Sequence, residues 1–117
     1  MRKWWGLVVV LAALVLAPGA QAAGGDRSTL ERYARDTWAS FAAMTDPARG
    51  LPADSLRADG ERSVQTSTTN IGAYMWSTLV AERLGIIGHG EALDRLGKTI
   101  ATLERMERHR ESGQFFN

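Results

Sequence analysis

Four carboxylates fall within one connecting stretch of the chain, Asp46, Asp54, Asp59 and Glu61, and the polar run Gln65-Thr66-Ser67-Thr68-Thr69-Asn70 follows directly. Hydrolysis of a glycosidic bond needs two such carboxyl groups, one to protonate the leaving oxygen and one to act as nucleophile or base. Spacing alone does not say whether any two of the four face each other. Loop carboxylates more often serve as solvated charges, and Arg57 and Arg62 lie close enough in sequence to neutralise them. The polar run has a second use. It precedes Ile71-Gly72-Ala73-Tyr74-Met75-Trp76, and a hydroxyl or amide oxygen there can accept from the free N–H groups of a helix's first turn. Thr69 or Asn70 is the natural N-cap.

The elements that would position these groups are helical. Ser28-Thr29-Leu30-Glu31 has the pattern of a capping box, and Leu30, Tyr33, Trp38 and Phe41 recur at helical spacing behind it. Arg32 and Asp36 are spaced as an i,i+4 ion pair on the opposite side. A first helix over about 28–44 should stop before Asp46-Pro47, because the residue preceding proline is pushed out of the helical region. A second, over about 70–84, is apolar around most of its circumference and should be packed on several sides. Gly85 is a natural C-terminal stop. The short linker through Gly88 folds a third helix, over about 91–111, back on the second as an αα-hairpin. Leu93, Leu96, Ile100, Leu103 and Met106 form its apolar stripe. The connection over 45–68 is long for a compact domain, and such loops are usually functional or disordered.

At 117 residues the chain allows one domain at most. Arg2 and Lys3, the aliphatic run to Ala17, Pro18-Gly19 and Ala20-Gln21-Ala22 read as a signal peptide cleaved after Ala22. The apolar run is shorter than the ~20 residues a membrane-spanning helix needs, so stable membrane insertion is not expected after cleavage. The chain carries 14 basic and 13 acidic residues, and losing Arg2 and Lys3 brings the mature part close to neutral. That balance gives no basic field for nucleic acid or an anionic membrane. There is no cysteine, and the two histidines, His89 and His109, have no ligand spacing, so neither a metal nor another cofactor is expected.

Thr66-Ser67-Thr68-Thr69-Asn70-Ile71-Gly72 resembles the T-S-x-T-N-I-G signature of bacterial glucoamylase-like domains. Those include the glucoamylase-like regions of cyclic β-1,2-glucan synthases and a related family of exported proteins of unknown function. The similarity extends through Val80 to Gly85, Ala92 to Leu96 and Thr102 to His109. Gly113-Gln114-Phe115-Phe116-Asn117 matches the first half of a G-x-F-Y-N-W-Y-D segment. Thr68 departs from the family pattern, which usually has proline there. The resemblance implies an all-α fold, the first three helices of an α/α toroid of the six-hairpin glycosidase type, incomplete in this chain. It implies a glucan-type polysaccharide as ligand and places the helix start at the wall of a sugar cleft. Thr69, Asn70, Asp59 and Glu61 are then the candidate hydrogen-bonding residues, with no catalytic residue in this segment. The alternative is a small, non-enzymatic exported helical module for binding or assembly.

Overall fold

The computed structural model describes residues 18–116. It contains three helices, α1 (Pro18–Met44), α2 (Thr68–Arg83) and α3 (His89–Arg105), and no strand among the described residues. The chain divides into two compact units between Ala34 and Arg35.

In the first unit the described residues are the N-terminal part of α1. The helix starts ten residues earlier than the capping-box pattern indicates. Ser28 is therefore not a cap. Its hydroxyl donates to the Gly25 carbonyl at 3.0 Å, and Glu31 pairs with Arg27 at 3.0 Å instead of reaching back to Ser28. Arg32 lies over the Tyr33 ring, 5.5 Å from its centroid. Leu30 and Tyr33 are exposed. The charged start and apolar run expected of a leader lie outside the described residues, and the expected cleavage point after Ala22 falls within α1. Among the described residues no helix is long and apolar enough to cross a membrane.

The second unit holds the core. Trp38 at the end of α1 stacks on Tyr74 of α2, with centroids 6.2 Å apart and planes 9° from parallel, and Ala81 completes the cluster. Phe41, Ala42, Ile86 and Ile87 pack around it. The buried side of α2 is Ile71, Tyr74, Thr78 and Ala81, a single stripe at alternating three- and four-residue steps. Trp76, Leu79, Val80 and Leu84 are exposed, so α2 is packed on one side and not on several.

Gly85 ends α2 as its position suggests. With φ +67° it adopts the left-handed conformation, its N–H donates to Glu82 O at 2.9 Å, and Ile86 N–H donates to Ala81 O at 2.8 Å. This is the Schellman arrangement, with Ile86 delivered onto the core beside Ala81. The helix start differs from expectation. The N-cap is Ser67, whose side chain accepts from Asn70 N–H at 3.1 Å, while Thr69 and Asn70 are already helical.

The third helix is shorter than the sequence pattern suggests. It ends at Arg105, and Met106 turns out of the helix with ψ 137°. Residues 106–116 instead fold back on themselves. Arg108 and Phe115 pair across an antiparallel bridge, and Gly113 (φ +69°) closes the turn through its N–H to His109 O at 2.8 Å. Arg108 covers the Phe115 ring at 4.6 Å and His109 meets Phe116 edge-on. Cation–π and aromatic contacts within this turn replace the last helical turns. On α3 itself the buried positions are Ala92 and Thr99, whereas Leu93 and Ile100 of the expected stripe are exposed.

Candidate functional site

The 45–67 connection is ordered as two successive tight loops. Each contains an aspartate whose short carboxylate accepts from backbone N–H groups two or three residues ahead, Asp46 in the first and Asp59 in the second. In the first, Asp46 accepts from Ala48 N–H at 2.8 Å and Arg49 N–H at 3.1 Å. Gly50 N–H donates to Asp46 O, and Thr45 pairs with Pro52. The loop then docks on α3. Thr99 donates its hydroxyl to Gly50 O at 2.7 Å, and Thr102 donates to Arg49 O at 2.7 Å. Gly50 is required twice over, by φ +69° and by space, since a Cβ there would lie 2.7 Å from Thr99 N.

The second loop, 54–65, is held by Leu56 pairing with Arg62 and by Ser63 N–H on Ser55 O at 3.0 Å. At its tip Asp59 accepts from Glu61 N–H at 3.0 Å, Gly60 has φ +88°, and Glu61 pairs with Arg57 at 2.7 Å. Arg62 forms no direct ion pair among the described residues; its Nε donates to Ala43 O at 2.6 Å, and its charge acts on Asp46 from a distance. Asp54 N–H donates to Gln65 O, and the Asp54 carboxylate accepts from the Asn70 side-chain amide. That last bond ties the start of α2 to the base of the second loop.

The four candidate ligand-binding residues thus fall in two places. Asp59 and Glu61 share the exposed tip of the second loop. Asn70 is half-buried and committed to Asp54, and Thr69 is exposed on the first turn of α2. Between the two loops lies a cleft of about 260 Å³ lined by Asp46, Arg49, Leu51, Arg62, Val64 and Thr66, among others. None of the four candidates lines it. A second cleft, of about 270 Å³, is bounded by the first loop and by Tyr74, Glu91 and Arg95.

Two charges here are perturbed. The N–H groups of Ala48 and then Arg49 hold the Asp46 carboxyl below the ordinary carboxylate range, and the nearby charges of Arg49 and Arg62 add to this against partial burial. Burial opposes the Arg95 charge, but its hydrogen bonds to Tyr74 and Glu91 outweigh that and its pKa stands above the usual guanidinium value. Arg95 is a link the residue pattern does not reveal. It bonds Glu91 at 2.7 Å and Tyr74 Oη at 3.4 Å, and lies 5.2 Å from the Trp38 ring centroid. Its i,i+4 spacing to Glu91 is visible in sequence, but its reach to two aromatics on other helices is not.

At the α2–α3 turn the half-buried Glu82 meets His89 Nδ1 at 2.6 Å. Among the described residues no three histidine or carboxylate side chains gather to hold a metal ion.

Comparison with known proteins adds a relative and a family. The chain is 38% identical over 91 residues to the cyclic β-(1,2)-glucan synthase NdvB of Rhizobium meliloti (strain 1021). The match covers 75% of this chain and 3% of that protein, so the chain spans a small fraction of its relative's length. No solved structure matches. A family model described as a protein of unknown function (DUF3131) matches residues 32–112, which takes in the end of α1, both loops, α2 and α3. The chain belongs to the DUF3131 family.

Proposed function

We propose that this chain is the sugar-facing N-terminal part of an exported glucoamylase-like protein, and that it binds a glucan-type polysaccharide without hydrolysing it. The observation that carries the reading is the 38% identity, over 91 residues, to a protein whose name is cyclic β-(1,2)-glucan synthase. In this reading α1 to α3 are the first helices of an α/α toroid, and the loop end of α2 forms one wall of its sugar cleft. Thr69 and Asn70 at the helix start, with Asp59 and Glu61 on the second loop, are its hydrogen-bonding groups.

The committed partners of the loop carboxylates support the non-catalytic part. Asp46 is held by its own turn, Asp54 by Asn70, Asp59 by Glu61 N–H and Glu61 by Arg57. Asp46, held ionised, is a poor general acid at neutral pH. Export rests on the leader-like first 22 residues.

The test is to incubate the purified chain with β-1,2-linked gluco-oligosaccharides, following binding by NMR and products by chromatography. Binding without product release is expected. Shorter oligosaccharides in the digest would overturn the non-catalytic claim, and no binding at millimolar sugar would overturn the glucan reading. N-terminal sequencing of the exported product should begin at Ala23, and retention of Arg2 and Lys3 would refute cleavage. The exposed side of α2, with Trp76, Leu79, Val80 and Leu84, favours the second reading, an exported helical module that docks on a partner. Failure of sugar binding by a cooperatively folded chain would favour that module.

A further inference from the structure

The cleft between the two loops combines features that the glucan reading alone does not assign. It holds a carboxylate, two guanidinium groups and an apolar wall within about 260 Å³, just under the ~300–1,000 Å³ of ordinary small-molecule pockets. Asp46 is held ionised by its turn and stays an acceptor at neutral pH. Arg62 is anchored through Nε on Ala43 O, which leaves its terminal nitrogens for an acceptor in the cleft. Arg49 approaches Asp46 loosely, at 3.7 Å, with its side chain 73% exposed. Thr66 adds a buried hydroxyl that has no hydrogen-bond partner. An unpaired buried hydroxyl is costly, so one that persists calls for an explanation.

From this we propose that the cleft is a subsite for one neutral pyranose ring. Asp46 accepts from a sugar hydroxyl, Arg49 and Arg62 donate to ring or hydroxyl oxygens, and Leu51, Pro52 and Val64 support the ring's C–H edge. The Asp46 carboxylate offsets one of the two guanidinium charges and needs a donor, which a sugar hydroxyl supplies and a fully ionised anion does not. The inference rests on the glucan reading for the identity of the polymer, but the neutral sugar follows from the cleft's own donors and acceptors.

The test is a two-dimensional NMR titration of the full chain with glucose and, separately, with a β-1,2-linked glucan oligosaccharide. Amide signals of Arg49, Ser63, Gln65 and Thr66 are the probes. Arg62→Ala and Arg49→Gln should each weaken binding by about tenfold, as loss of a charge-assisted hydrogen bond does, with Arg110→Ala as the charge control. If Arg62→Ala does not fold, the exposed Arg49→Gln carries the test. Sugar binding that survives the cleft variants but is lost in Thr69→Ala or Asn70→Ala would overturn the subsite and leave the glucan reading standing. Glucose shifts at the cleft amides without any glucan binding would uphold the subsite and sink the glucan reading. No shift with either sugar overturns the subsite.

Discussion

Each of the two loops between α1 and α2 pairs an aspartate that accepts a backbone N–H with a glycine at positive φ, yet they are anchored differently. In the first, Asp46 and Gly50 form a turn whose last two carbonyls are taken by Thr102 and Thr99 of α3, and Gly50 is buried. In the second, Asp59 and Gly60 form a turn whose partners, Arg57 and Glu61, both belong to the loop itself, and Gly60 is exposed. The same local chemistry therefore produces a fixed wall in one case and, in the other, a tip that bonds only within its own loop, above a base tied to α1 and α2. What separates them is whether another element reads the loop's backbone.

The largest test of that difference is a pair of alanines. Gly50→Ala forces a Cβ to 2.7 Å from Thr99 N and 2.9 Å from its hydroxyl, at φ +69°. It should cost about 3 kcal/mol in urea unfolding, from backbone strain and overpacking together. Gly60→Ala, at φ +88° with nothing within 4 Å of the new Cβ, meets the backbone penalty alone, about 1 kcal/mol. Equal losses would mean that α3 does not fix the first loop. Next in size is Thr99→Val, which leaves Gly50 O without its donor at a fully buried position and should cost about 1–2 kcal/mol by the same assay.

A smaller effect in the first loop is read by pH. The folded-state pKa of Asp46 lies below its unfolded value near 3.8, so its contribution to stability is present above that pH and is lost as pH falls through the folded value. Melting temperatures of wild type and Asp46→Asn, measured between pH 6 and 2, should converge at the acid end. A constant gap would place the stabilisation in the turn geometry and not in the charge.

Two of the helix stops were legible in sequence, while the end of α3 falls six residues before the expected one. Gly85 and Asp46-Pro47 end their helices where backbone sterics require it, because positive φ and proline act locally. The capping reading at Ser28 failed because a serine inside a helix can bond the carbonyl three residues back, and nothing local marks which geometry wins. Thr69 and Asn70 were misplaced as caps by two or three residues in a run where every neighbour can cap. The apolar circumference of α2 suggested burial on several sides, but periodicity states what a helix could bury and not what is present to bury it. The anchoring of the first loop was hidden for another reason. Thr99 and Thr102 read as ordinary helix residues, and their partners are 49 and 53 residues away in sequence.

The smallest predicted stability effect is the one that bears most on function. Glu61 and Arg57 form an ion pair with side chains 65% and 70% exposed, a geometry that contributes little in water. Glu61→Ala should therefore change unfolding free energy by less than about 0.5 kcal/mol. Asp59 is accounted for by the turn whose backbone N–H it accepts, whereas the exposed Glu61 side chain adds little to stability. If the variant melts like wild type but binds β-1,2-linked oligosaccharide more weakly, the projecting loop contacts ligand and the fixed loop serves as its backing. If both melt and affinity are unchanged, the tip is solvated surface, and any sugar contact belongs to the anchored side alone.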